Sequence, residues 1–82
     1  MRLDKYLKVS HIIKRRTVAK ETIEKDRIFV NGKTAKPSTL VKEGDIVTIK
    51  YAAKVLEFKI LSINEYASKS ESSSMYEVLR NE

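Results

Sequence analysis

From Arg2 to Val9 the apolar residues Leu3, Tyr6 and Leu7 fall at i, i+3 and i+4, leaving Arg2, Asp4, Lys5 and Lys8 for the other faces. That period predicts a short amphipathic helix. Ser10 to Arg16 has no clean period and reads as a connection. Helical spacing resumes at Thr17, an N-cap or first-turn residue, with Val18, Ala19, Thr22 and Ile23 as the stripe and an end near Asp26. Arg27-Ile28-Phe29-Val30 is rich in strand formers and runs into Asn31-Gly32, a pair that tolerates positive φ and suits a type I′ hairpin turn. Lys33 to Lys36 would be the returning arm.

After Pro37-Ser38 the stretch Val41-Lys42-Glu43-Gly44-Asp45 reads as a turn and Ile46 to Lys50 as a strand. Tyr51-Ala52-Ala53 turns the chain. Val55 to Ile63 alternates, with Leu56, Phe58 and Ile60 on one face and Glu57 and Lys59 on the other. The Ser-rich segment 67–74 has almost no apolar side chain to offset the entropy of ordering it, and is expected to be a flexible linker. Met75 to Leu79 fits a helical turn or an edge strand; a strand is taken, docking the tail back on the body. The expected fold class is α+β: two N-terminal helices on a small, mostly antiparallel sheet. Residues 1–66 form the domain, 67–74 the linker and 75–82 the docking segment.

Charge divides this chain unevenly. Residues 1–36 hold eleven Lys/Arg against four Asp/Glu, a charge of +7, while residues 37–82 hold six against seven, a charge of −1, so the first segment carries the positive charge behind the whole chain's +6. A concentrated basic face on a small chain is the footprint of a protein that neutralises phosphates, which makes nucleic acid the leading partner. With 82 residues and no Cys there is one domain without disulfides or thiolate metal ligands, which fits a reducing cytoplasm. No apolar run reaches the about 18 residues of a membrane span, and the charged N-terminus does not read as a signal peptide. The chain is therefore expected to be cytoplasmic, with no membrane partner.

Four segments, Arg2-Leu3-Asp4-Lys5-Tyr6-Leu7, Lys14 to Glu21, Arg27 to Lys33 and Gly44-Asp45-Ile46-Val47, resemble in order and spacing the alpha-L RNA-binding domain. That domain occurs in small-subunit ribosomal protein four, heat-shock protein fifteen, pseudouridine synthases and tyrosyl-tRNA synthetases. The stand-alone length, the opening MRLDKYLKVS, the string IIKRRTVAKE and the Met75-Tyr76 tail look like the short RqcP family. The chain itself is expected to be a monomer, and the resemblance implies binding to a dissociated large ribosomal subunit that still holds peptidyl-tRNA. There the family steadies P-site tRNA against large-subunit rRNA while an alanine-tailing quality-control factor extends the stalled nascent chain. Two positions depart from the family pattern. His11 stands where relatives usually have Arg, giving a weaker or pH-dependent phosphate contact, and Asp26 stands where a Gly often ends the second helix, a conformation Asp tolerates.

Lys14-Arg15-Arg16 lies at the entrance to the second helix, where outward N–H groups and guanidinium groups together make an anion site. In the inferred fold Arg2, Lys5 and Lys20 lie nearby, and His11 belongs to the same connection. Arg16 is taken as exposed, so that its loss should leave stability unchanged. The family places the Asn31-Gly32-Lys33 turn next to the RNA-facing helices, making Asn31 and Lys33 backbone contacts as readily as plain turn residues. Asp4 either orients a basic neighbour or pairs with the helix dipole. Tyr6 belongs to the core, and Phe29 is expected to pack against the second helix rather than stack on a base.

The lone His has no partner for a metal set, and no nucleophile set or Gly-rich phosphate loop is present. The chain is read as a non-enzyme without cofactor. A compact basic face suits recognition of RNA by shape and backbone charge. A stable ribosomal or assembly component remains an alternative, as does a small DNA-binding regulator, although Glu21, Glu24 and Asp26 suit the second helix poorly to duplex DNA.

Overall fold

The computed structural model describes residues 1–66 and 69–82. Helix α1 (Leu3–Val9) and helix α2 (Arg16–Glu24) precede strands β1 (Ile28–Val30), β2 (Lys33–Thr34), β3 (Ile46–Lys50) and β4 (Val55–Ile60), then a single turn of helix α3 (Lys69–Ser72) and strand β5 (Tyr76–Asn81). The sheet has the order β2-β1-β3-β4-β5, and every pairing is antiparallel.

The elements end where backbone chemistry permits. His11 and Asp26, just past the ends of α1 and α2, both adopt left-handed conformations with φ of 60° and 57°. Polar residues of these types enter that region more readily than most non-glycine residues. At the hairpin Val30 faces Lys33, so Asn31 and Gly32 form a two-residue loop with φ of 51° and 82°, as a type I′ turn requires. The returning arm is only Lys33–Thr34, shorter than expected, although Ala35 N–H still donates to Ile28 O at 2.9 Å. Strand β4 likewise stops at Ile60, because Leu61 and Ser62 N–H both turn to Met75 O.

The helices lie on one face of the sheet. Leu3, Tyr6 and Leu7 of α1 and Ala19 and Ile23 of α2 meet Ile28, Val30, Val47, Ile49, Phe58 and Ile60 from the strands. Phe58 is the centre of this layer, with Tyr6 stacked at 6.4 Å between ring centroids and Tyr76 edge-on at 5.5 Å. Such aromatic pairs add about 0.5–1.5 kcal/mol each beyond their buried area.

The C-terminal segment differs from its expectation in part. Ala67 and Ser68 lie outside the described residues. Beyond them α3 is helical, Ser72 is buried and Met75 joins the core. Serine hydroxyls supply what apolar side chains do not: Ser74 Oγ donates to Glu71 O at 2.7 Å and Ser73 Oγ to Ser70 O at 3.4 Å, satisfying the carbonyls of the turn. Strand β5 then pairs along β4. Glu57 faces Arg80 while Phe58 faces Val78, so Leu79 is an extra residue that bulges the edge strand.

Phe29 departs from its expectation. Ile28 and Val30 occupy the core side of β1, so alternation turns Phe29 to the sheet face away from the helices, where it is half-buried with Lys50 Nζ 4.8 Å above its ring. Only one side of a three-residue strand can face α2, and the two aliphatic residues hold it.

Two stability outcomes follow from this packing. Leu7→Ala removes a fully buried side chain and should destabilise the protein by about 2–5 kcal/mol in chemical denaturation. Tyr6 is buried with its hydroxyl donating to Met75 O at 3.0 Å, and burial, with a smaller contribution from Tyr76, pushes its phenol up. A pKa higher in the folded state contributes stability that is present below the unfolded tyrosine value of about 10 and is lost as pH rises above it. Tyr6→Phe should therefore cost about 0.5–1.5 kcal/mol at neutral pH, and the gap to wild type should narrow above about pH 10. Tyr51, also pushed up by burial, is common to both proteins. Denaturation curves that stay equally far apart across this range would contradict the assignment.

Candidate nucleic-acid interface

The basic face is built around a buried acid. Asp4, in the first turn of α1, is 0 % exposed, and its N–H donates to Pro37 O. Its Oδ1 accepts the Lys5 backbone N–H at 2.8 Å and Arg16 Nη2 at 3.4 Å. Its Oδ2 accepts Arg2 Nη2 at 3.3 Å and lies 3.3 Å from Arg16 Nε, an ionic contact without the alignment of a hydrogen bond. One carboxylate thus holds two guanidinium groups, one from each helix start. Each arginine side chain remains partly open to solvent, 45 % for Arg2 and 41 % for Arg16, although Arg16 Nε itself is buried.

The loop after the hairpin supports this arrangement from below. Leu3 N–H donates to Thr39 O at 2.8 Å, Arg2 bridges to Leu40, and Val41 N–H donates to Met1 O. The Leu3 and Asp4 N–H groups at the start of α1 are therefore tied to the 37–41 segment. Helix α2 starts without a side-chain cap and without an acid in its own first turn, directly after Lys14 and Arg15.

The other expected residues divide by their contacts. His11, Lys14, Arg15 and Lys20 are exposed and make no ion pair among the described residues. Lys5 is tied to Glu65 at 3.1 Å, a contact between exposed groups. Lys33 is exposed on the short strand β2. The Asn31 amide is engaged within the protein: its Nδ2 donates to Asp45 Oδ1 at 3.1 Å and its Oδ1 accepts Ile46 N–H at 3.0 Å. Asp45, buried and also accepting Lys42 N–H at 3.0 Å, uses this amide to fasten the hairpin turn to the start of β3.

The structure corrects one sequence-based expectation here. Arg16 is not a free surface side chain; its guanidinium lies against a buried carboxylate, so removing it affects stability as well as charge. Sequence reasoning also left Asp4 undecided between two roles, and the structure has it hold both arginines. Its position was the available signal: Asp4 sits between Leu3 and the Tyr6-Leu7 pair, on the flank of the stripe that the core buries. Among the described residues no group of three His, Cys, Asp or Glu is placed to hold a metal, and no helix is long and apolar enough to cross a membrane.

The S4 domain model matches residues 1–47. The chain is 56 % identical over 82 residues to a Listeria innocua protein named RQC P-site tRNA stabilizing factor, covering all of this chain and 89 % of that one. A Bacillus subtilis protein of the same name is 44 % identical over 82 residues, with 100 % and 95 % covered. A Haemophilus influenzae heat shock protein 15 homolog is 31 % identical over 65 residues, 79 % of this chain and 50 % of that one. Among solved structures, Vibrio cholerae heat shock protein 15, described as trimeric, superposes with a TM-score of 0.86 at 28 % identity, over 95 % of this chain and 80 % of that one. The solution structure of the protein HP1423 gives 0.82 at 28 % identity with both chains fully covered. The matched S4 region spans the Asp4 cluster, both helices and the hairpin, and the full-length identities extend through α3 and β5: the chain belongs to the S4 domain family and, within it, to the family of RQC P-site tRNA stabilizing factors.

Proposed function

We propose that this protein is a non-catalytic RNA-binding factor of ribosome-associated quality control. It binds an obstructed large ribosomal subunit carrying peptidyl-tRNA and steadies P-site tRNA against large-subunit rRNA while an alanine-tailing factor extends the stalled chain in the cytoplasm. Full-length identity to proteins named for stabilising P-site tRNA supports the setting. The single structural observation that carries the reading is the pair of guanidinium groups held by Asp4 at the starts of α1 and α2.

A fixed, partly exposed guanidinium can grip a phosphate with two parallel N–H donors, and fixing it beforehand lowers the entropy lost on binding. Arg2 and Arg16 are the oriented contacts in this scheme. His11, Lys14, Arg15 and Lys20 supply mobile charge around them, with Lys33 at the hairpin. Lys5 exchanges Glu65 for phosphate, a small loss because an exposed ion pair contributes about 0–1 kcal/mol. Asn31 acts by holding the turn that presents Lys33. A compact arrangement of this kind reads the phosphates and 2′-hydroxyls of A-form RNA by shape. Helix α2 has Glu21 and Glu24 exposed beyond Lys20, which opposes insertion of that helix into a DNA groove.

Two substitutions separate charge from architecture. Arg15→Ala should leave stability within about 0.5 kcal/mol of wild type and weaken binding to purified large subunits, measured by co-sedimentation. Arg16→Ala should weaken binding further, on the order of 1–3 kcal/mol for a charge-assisted contact, and also lower the thermal midpoint because Asp4 keeps only one guanidinium. Wild-type affinity in both variants would remove the basic face from the mechanism. Salt dependence tests the same model: the logarithm of affinity should fall linearly with the logarithm of salt, by about 0.7–0.9 per phosphate neutralised. Affinity that does not respond to salt would contradict it.

A further inference from the structure

The helices cover one face of the sheet and leave the other open. Along β1 this open face carries Phe29 and, two residues earlier, Arg27. Phe29 faces Thr34 on β2 and Thr48 on β3. The next row follows from the same register: Lys50 N–H donates to Arg27 O at 2.7 Å, and Ala35 N–H to Ile28 O at 2.9 Å, which brings Lys36 opposite Arg27. Lys36, just beyond β2, Arg27, just before β1, and Lys50 at the end of β3 therefore continue the register as a row of three exposed cations beside the row Thr34, Phe29, Thr48.

This row is unfavourable for folding alone. Like charges directly opposite each other in a sheet are destabilising, and none of the three makes an ion pair among the described residues. On this face Glu57 of β4 accepts Thr48 Oγ1 at 3.0 Å and faces Arg80 across the sheet, and Glu82 is paired with Arg80 at 2.8 Å. Lys50 lies over the Phe29 ring instead. At a strand spacing of about 4.8 Å the row spans about 10 Å. Its Lys36 end leads directly into Pro37 and Thr39, whose carbonyls hold the start of α1 beside Arg2.

From this we infer that the open sheet face is a second RNA site, which takes an unpaired strand with its phosphates along Lys36, Arg27 and Lys50 and a base stacked on Phe29. An aromatic side chain on a bare sheet face, flanked by cations, is the chemistry that holds single-stranded RNA: stacking accepts any base and the cations follow the backbone. Lys50 moves from the ring to a phosphate when a base takes its place, and the unrelieved repulsion of the row favours a polyanion over a protein or apolar partner. The inference rests on the RNA-binding reading above, extending it from the helical face around the β2 edge.

The test uses the full chain and two fluorescently labelled RNA hairpins of the same stem, one blunt and one with an unpaired extension. The wild-type protein should bind the extended hairpin at least tenfold more tightly and with a steeper salt dependence. Phe29→Leu and the double variant Arg27→Gln/Lys50→Gln should bring the extended hairpin down to the blunt affinity and leave blunt binding unchanged, and the double variant, relieved of like-charge repulsion, should melt no lower than wild type. Arg16→Ala should weaken both hairpins together. Equal affinity of wild type for the two hairpins, or unaltered binding of the extension by both open-face variants, would overturn the second site and leave the helical face standing. Failure of wild type to bind either hairpin would overturn the RNA reading and this inference with it.

Discussion

A carboxylate taken out of water must find donors or it destabilises the fold, and Asp4 finds its side-chain partners in two arginines that start two different helices. That requirement fixes the relative placement of α1 and α2 at their N-terminal ends, where the apolar stripe alone leaves rotational freedom. Because the Asp4 N–H also donates to Pro37 O, the same residue joins the helices to the loop returning from the hairpin. The guanidinium groups are partly exposed, so a structural necessity leaves two oriented cations facing solvent. In the proposed function, stability and recognition draw on the same contacts.

The remaining core makes this cluster rigid. Phe58 stands between Tyr6 of α1 and Tyr76 of β5, and the Tyr6 hydroxyl reaches Met75 O, so the last strand is fastened to the first helix across the whole chain length. Met75 O also accepts Leu61 and Ser62 N–H, which stops β4 and turns the chain toward α3. The positive half of the sequence forms the helical face and the first hairpin. The near-neutral half supplies the strands that hold them, with Asp45 fastening the hairpin turn through Asn31.

Local signals were enough to read α1, α2, the Asn31-Gly32 turn, β3 and most of β4, since each depends on periodicity or on positive φ within a few residues. The features that escaped depend on partners far along the chain. The role of Asp4 requires Arg16, twelve positions away, and the direction of Phe29 depends on which side of β1 the helices take. Helix α3 was hidden because its carbonyls are satisfied by serine hydroxyls, while composition registers only the missing apolar surface. The early end of β4 comes from a carbonyl of Met75 that no local pattern reveals. Most of the basic face was legible as charge; its organisation around a buried acid was not.

The most direct test of that organisation is the affinity of Asp4→Asn for large ribosomal subunits, measured at several salt concentrations in protein shown by circular dichroism to be folded. The substitution keeps the shape and an acceptor for Lys5 N–H but removes a negative charge from the basic face. Electrostatics by charge count alone predicts tighter binding to a polyanion. If Asp4 acts by orienting Arg2 and Arg16, binding should instead weaken by about tenfold, the scale of one charge-assisted contact. Tighter or unchanged binding would contradict the account.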